Sequence, residues 1–324
     1  MVEDNVDQLI DNLTNYLYID IRKSAAEKLG LRRDRRAIKP LINALHDDED
    51  SVRESVIASL KKYRDSAVEP ILDSLNREKS WRHKMAVAEV LGAIGDTRAI
   101  EPLINLLKSA LRERVHLKEE ANELIKSIKD SNLSLSTQMQ FRSGSIRIIA
   151  NESRELEIGI PKIYSILVSI GDSTVAPLLA ELKNSDWCAR MGAAFVLGIM
   201  KEPRAVQPLI DILEMDNEGT QDKENAAVAL GAIGDRRAIN TLITTLQNNK
   251  KDSVRSAAAM ALDLRRCPSA VEPLINALND QNQEVRNNAA TALKNITAKS
   301  FIFGKTNPQK WQKWWNENKG SFLK

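Results

Sequence analysis

Aromatic residues are scarce in this chain, at 4% of 324 residues. Cysteine is scarcer, with only Cys188 and Cys267. Two distant cysteines supply neither a disulfide framework nor a metal-binding spacing. Histidine occurs three times, at His46, His83 and His116, which limits metal and acid–base chemistry built on imidazole. Charge of one sign is also lacking: 47 basic residues face 44 acidic ones, for a net charge of +3. Net charge therefore gives no push toward nucleic acid or an anionic membrane, and any patch must come from local placement. No apolar run approaches the ~18 residues of a membrane span. The start, "MVEDNVDQLIDNL", is acidic and amphipathic rather than a secretion signal. These features read as a cytoplasmic protein without a membrane segment.

What is present is Ala- and Leu-rich apolar content, 43% hydrophobic in all, which favours helices. The stretch "LGAIGD" at 91–96 returns unchanged at 230–235. Aligning each segment on an apolar residue followed five positions later by a polar one gives the column Asp34, Asp65, Asp96, Asp130, Asp172, Glu202 and Asp235. Seven positions before each anchor lies a second column: Arg22, Arg53, Lys84, Lys118, Ile160, Arg190, Lys223, Arg255 and Arg286. Successive intervals are 31, 31, 34, 42, 30, 33, 32 and 31 residues, the signature of a repeat architecture. Each unit reads as two helices. Helix A carries a proline in its first turn, at Pro40, Pro70, Pro102, Pro177, Pro208 and Pro273, where a missing N–H costs nothing. Helix B is Ala-rich. Each carboxylate follows helix B and is placed to cap the next helix A, while a preceding glycine ends helix B in the left-handed conformation.

The segments "DSVRSAAAMAL", "LGAIGDRRAI" and "AVEPLINAL" resemble HEAT-like repeats of the phycobilisome-lyase (PBS lyase) type. The resemblance implies an all-α fold, an α-solenoid (superhelix) of about nine two-helix repeats. It runs over 1–299, with an irregular repeat at about 131–160, and a Trp-rich capping helix follows at 300–324. Residues 131–161 lack the helix A pattern, and "SIRIIANESRELEI" reads as a short hairpin, a lid or docking loop, or a decayed repeat. Near the C-terminus Trp311, Trp314 and Trp315 share a helix face, as expected of a cap over an open core.

Such repeats serve enzymes, enzyme subunits and adaptors alike. Among proteins of similar repeats, deoxyhypusine hydroxylase holds iron with repeated His-Glu pairs. Here the neighbours read His46-Asp47, His83-Lys84 and His116-Leu117, in different repeats, so the sequence gives no metal or cofactor site and no catalytic residue. "LGAIGD" neither follows a strand nor continues into a phosphate-loop lysine. The basic column has two readings. One is an anionic-partner track. The other, implied by the resemblance, is an internal ladder in which Arg22, Arg53, Arg190, Arg255 and Arg286 pair with acids at the repeat turns.

The expected concave positions are polar in the N-terminal half (Lys23, Glu27, Glu54, Ser55, Glu119, Glu120, Glu123) and apolar in the C-terminal half. Trp187, Met191, Phe195 and Ile199 recur at i+4 spacing, joined by Val228, Met260 and Leu264 and, earlier, by Trp81 and Met85. That stripe is a partner groove, core, or a surface covered by the 131–159 segment. The reading is a non-enzymatic scaffold that binds a protein or peptide there, as a monomer or weak homo-oligomer without nucleic acid, membrane or cofactor. The alternatives are a lyase-like enzyme or enzyme subunit related to bilin lyases, and binding of nucleic acid or another anionic partner through basic repeat edges such as "RRDRR" at 32–36.

Overall fold

A computed structural model describes residues 5–130, 135–215, 219–265, 267–298 and 307–322. The side chains of Asp130 and Leu264 lie outside the described residues. The chain divides into two compact units, Met1–Thr174 and Val175–Lys324. All regular elements among the described residues are helical, either α-helices or short 3₁₀ turns.

The first unit holds α1 (Val6–Asn15), α2 (Ile19–Arg32), α3 (Ile38–Asn43), α4 (Asp50–Tyr63), α5 (Asp65–Arg77), α6 (Trp81–Ile94), α7 (Ile100–Asp130) and α8 (Leu135–Ile170). Each odd helix packs on the even helix that follows it, and α2, α4, α6 and α8 pack on one another in sequence. The second unit repeats the scheme with α9 (Val175–Glu181), α10 (Trp187–Met200), α11 (Val206–Glu214), α12 (Thr220–Ile233), α13 (Ile239–Asn248), α14 (Asp252–Arg265), α15 (Val271–Ala277) and α16 (Gln283–Thr297). Here α10, α12, α14 and α16 form the inner row. Finally, α17 (Pro308–Phe322) lies against α15 with Trp311 and Trp315 buried. Both units are thus stacked helix pairs of the solenoid type, eight pairs among the described residues.

One turn expected from the repeat spacing does not form among the described residues. Between Leu107 and Lys118 the sequence "KSALRERVHLK" contains no Gly or Pro to break the helix, and α7 runs for 31 residues. Lys118 therefore sits inside α7 rather than opening a B helix. The hairpin reading of 131–161 is also corrected: residues 135–170 are one helix, α8, packed on α6 and α7. Its apolar residues Leu156, Ile160, Ile163 and Leu167 are fully buried. Among the described residues one stretch, Ile148–Glu181, is long and apolar enough by length and composition to suggest a span (mean hydropathy 1.5), with 28% of it buried.

The joint between repeats is visible at α6. Gly95 adopts φ 72° and its N–H bonds to the Leu91 carbonyl at 3.0 Å. Asp96 then accepts the Arg98 N–H at 2.9 Å, which starts a 3₁₀ turn at Thr97–Ala99 that leads into α7. Gly234 and Asp235 repeat the arrangement after α12. Backbone at this φ strains any residue with a Cβ, so glycine ends the helix at least cost.

Candidate functional site

The arginines of the basic column, Arg22, Arg53, Arg190, Arg255 and Arg286, form an internal ladder across the turns from helix A to helix B. Arg190 reaches Asp222 of the next pair through Nε (3.1 Å) and a terminal nitrogen (2.6 Å), and its other arm donates to the Asn184 and Ser185 carbonyls. Arg255 does the same with Asp280 and with the Asn249 and Lys250 carbonyls. Arg286 donates to the carbonyls of Asp280 and Gln281. In the first unit Arg22 forks onto Asp47, while Arg53 bonds the Asp47 carbonyl and pairs with Asp50. Burial raises the Asp47 carboxyl, but the Arg22 hydrogen bond and neighbouring N–H groups outweigh it and hold Asp47 below the usual carboxylate range.

The carboxylate column serves the opposite edge. Asp34, Asp96, Glu202 and Asp235 each accept the backbone N–H two residues on and pair with that residue's guanidinium. They cap a short 3₁₀ turn ahead of helix A rather than helix A itself. Asp65 departs from this: Arg64 precedes it at φ 48°, α5 starts directly, and Asp65 pairs with Arg98 instead. Asp172 lies within the 3₁₀ turn Gly171–Thr174.

The apolar stripe is split. Phe195, Ile199 and Met260 are exposed, Trp187, Val228 and Trp81 are half-buried, and Met191 and Met85 are buried. Met85 is covered by α8: a Cβ on Gly159 would lie 2.6 Å from its Sδ. The stripe is therefore no continuous groove.

A cleft of about 740 Å³ lies in the first unit, walled by α4, α6 and α8. Its apolar floor is Ile57, Met85 and Ile158. Around this stand Arg53, Arg82, Arg154 and Lys162, interleaved with Asp50, Glu54, Glu89 and Glu155. Lys162 pairs with Glu89 and Arg53 with Asp50, while Arg82 donates to the Asp48 carbonyl at 3.3 Å. Among the described residues Arg154, Glu54 and Glu155 have no ion-pair or hydrogen-bond partner. Burial, and then the positive charge of Arg82, lower Arg53 from its ordinary value. Arg53 on α4 and Arg82 on α6 thus face the same cleft. Sequence reasoning missed this cleft because α8 was read as a loop.

It also missed a side-chain cluster. His46, Glu78 and His83 meet at the edge where α3, α5 and α6 turn, with ligand atoms within 4.8 Å of one another. His116 stands apart, exposed on α7.

Comparison with known proteins adds the following. The family model described as HEAT repeats matches residues 6–78, 175–263 and 239–302, and that of the PBS lyase HEAT-like repeat matches 84–109. Deoxyhypusine hydroxylase of Candida albicans is 23% identical over 76% of this chain and 84% of its own length. Bilin biosynthesis protein PecE of Nostoc is 26% identical over 66% of this chain and 74% of its own. Among solved structures, the karyopherin Kap121p bound to the SUMO protease Ulp1p aligns over 98% of this chain and 36% of that one, with a TM-score of 0.58 and 14% identity, a likeness of fold alone. Further relatives from rice and several fungi also bear the name deoxyhypusine hydroxylase.

Relatives that are enzymes by name overturn the reading of a non-enzymatic scaffold. The iron set that the hydroxylase resemblance implies does not fit these residues. The chain has no His-Glu pair, and the one group of three His and carboxylate donors among the described residues stands at the turn edge, with neither histidine lining the cleft. With its models covering well over half of the residues, the chain belongs to the HEAT repeat family.

Proposed function

We propose that the protein is an enzyme or enzyme subunit of the lyase-like kind related to bilin biosynthesis proteins, with an open-chain tetrapyrrole bound in the cleft of the first unit. The observation that carries this reading is the pairing of an apolar floor with guanidiniums in a space of about 740 Å³. Small-molecule sites span ~300–1,000 Å³, a range that includes this cleft. A bilin presents a flat conjugated body and two carboxylates. Ile57, Met85 and Ile158 would take the body, and Arg53, Arg82 and Arg154 the carboxylates. An anion between Arg53 and Arg82 relieves their mutual repulsion, and guanidinium–carboxylate contacts are the stronger class of hydrogen bond. Glu54 and Glu155, unpaired at the rim, are placed to exchange protons with the pyrrole nitrogens. The similarity to PecE supports the ligand class.

The test is a titration of the full chain with a linear tetrapyrrole, followed by absorbance. Binding should shift the spectrum, and Arg82→Ala and Arg154→Ala should each weaken it about tenfold or more, the worth of ~1.5–3 kcal/mol per charged hydrogen bond. A slow further spectral change, lost in Glu155→Gln with binding retained, marks turnover. No shift with excess bilin, or affinity in both arginine variants equal to that of the parent chain, rejects the reading.

A further inference from the structure

The cluster His46–Glu78–His83 is built, not incidental. Glu78 caps the end of α5, and its Oε1 accepts the backbone N–H groups of Lys79 (2.8 Å) and Ser80 (2.9 Å). That fixes the carboxylate and leaves Oε2 facing outward. His46 Nε2 lies 3.2 Å from Oε2 and His83 Nε2 lies 3.4 Å from it. The two imidazoles stack with centroids 3.4 Å apart and planes within 4°. His83 is 3% exposed, and among the described residues its Nδ1 has no hydrogen-bond partner. The Leu45 carbonyl faces the ring without forming a bond of good geometry to that atom.

We propose that His46, Glu78 and His83 bind one divalent first-row transition ion of the zinc type, with a fourth position open to water. The distances carry the argument. Zinc takes imidazole nitrogen and carboxylate oxygen at ~2.0–2.2 Å in tetrahedral geometry, so the edges of the tetrahedron measure roughly 3.3–3.6 Å. The two nitrogen–oxygen separations, 3.2 and 3.4 Å, are of that length. As N–H···O hydrogen bonds they sit at or beyond the long end of the usual ~2.7–3.2 Å. The donor chemistry agrees, because two imidazoles and one carboxylate suit zinc and neighbouring ions. So does the carboxylate's support by two backbone N–H groups, the outer-shell bracing common at metal sites.

Parallel rings cannot both hold an ion in their planes, so binding requires them to splay. His46, with 55% of its side chain exposed, has room to rotate while His83 stays fixed. The site lies outside the cleft and does not depend on a tetrapyrrole ligand.

The test uses the untagged full chain with Zn²⁺ or Co²⁺ alone. Competition against a chromogenic chelator should give one Zn²⁺ per chain, and Co²⁺ should show the intense visible absorption of a tetrahedral ion. His46→Ala and Glu78→Gln should each lower affinity by at least ~10-fold, with far-UV circular dichroism unchanged because both side chains sit at the surface edge. His116→Ala should bind as the parent does. No binding by the parent chain, or binding by His46→Ala and Glu78→Gln as tight as the parent's, overturns the proposal.

Discussion

The ladder makes a quantitative claim at Arg255 and Asp280. The guanidinium meets the carboxylate in a fork at 2.7 and 2.8 Å, with side chains only 15% and 12% exposed. Its third nitrogen donates to the Asn249 and Lys250 carbonyls at 2.9 and 3.2 Å, so one side chain ties α14 to its own turn and to the next pair. An exposed pair contributes ~0.2–1 kcal/mol, whereas breaking a buried one costs ~3–5 kcal/mol because a desolvated charge is left behind. This pair lies between those limits, toward the buried one. Arg255→Met keeps the aliphatic stem but orphans Asp280 and two carbonyls, so the expected loss is about 3 kcal/mol. For a unit of this size each kcal/mol moves Tm by ~2–4 °C. A double-mutant cycle with Asp280→Asn, followed by urea unfolding, should give a coupling of about 2 kcal/mol at neutral pH. The Arg255 hydrogen bond, outweighing burial, holds Asp280 below its ordinary value. A depressed carboxylate stabilises above its unfolded pKa of ~3.9. The coupling should therefore be intact above about pH 5 and fade as pH falls through the folded pKa below ~3.9. A coupling under about 0.5 kcal/mol at pH 7, or one that grows on acidification, would refute the reasoning.

Two further substitutions test how the pairs stack. Gly231 lets α12 approach α14 closely, since a Cβ there would meet Ala261 Cα at 2.7 Å; Gly231→Ala should cost about 1–3 kcal/mol by overpacking, and an unchanged urea midpoint would show that the helices separate freely. At Gly95, φ is 72° with open space around a Cβ; Gly95→Ala should cost about 1 kcal/mol from backbone strain alone, and Gly95→Asn less, so equal losses in the two variants would contradict a conformational cause.

Much of the fold was legible because a repeat protein states each rule many times. The basic and carboxylate columns recur, and one set of local physics places them all. Asp96 and Asp235 cap alike because the same hexapeptide precedes both. What escaped was set where the repeats disagree. α7 is long because a turn signal is missing, and the continuity of α8 arises from packing on α6 and α7 rather than from its own pattern, which includes Gly159 and Pro161. The apolar stripe was read as one surface from spacing, yet Met85 is covered by α8 while Phe195 is exposed, a tertiary difference with no local signature. The histidines escaped for another reason. His46 ends one pair's first helix region and His83 opens the next pair's second helix, so different slots of the repeat are brought together. A search for identical columns cannot find a contact between unlike ones.

The irregular pair is also what makes the cleft. Where a regular repeat would insert a turn near residue 110, α7 continues and returns the chain as a helix of 36 residues. This delivers Arg154, Glu155 and Lys162 opposite α4 and α6. Gly159 seats that helix directly on Met85, fixing the floor, while Lys162 pairs with Glu89 on the far wall. Floor and rim are thus set by one helix whose position depends on a turn that never formed. Regular repeats bind their ladder charges to their own turns; the departure from regularity leaves Arg154, Glu54 and Glu155 without an ion-pair or hydrogen-bond partner among the described residues, beside the apolar floor of Ile57, Met85 and Ile158.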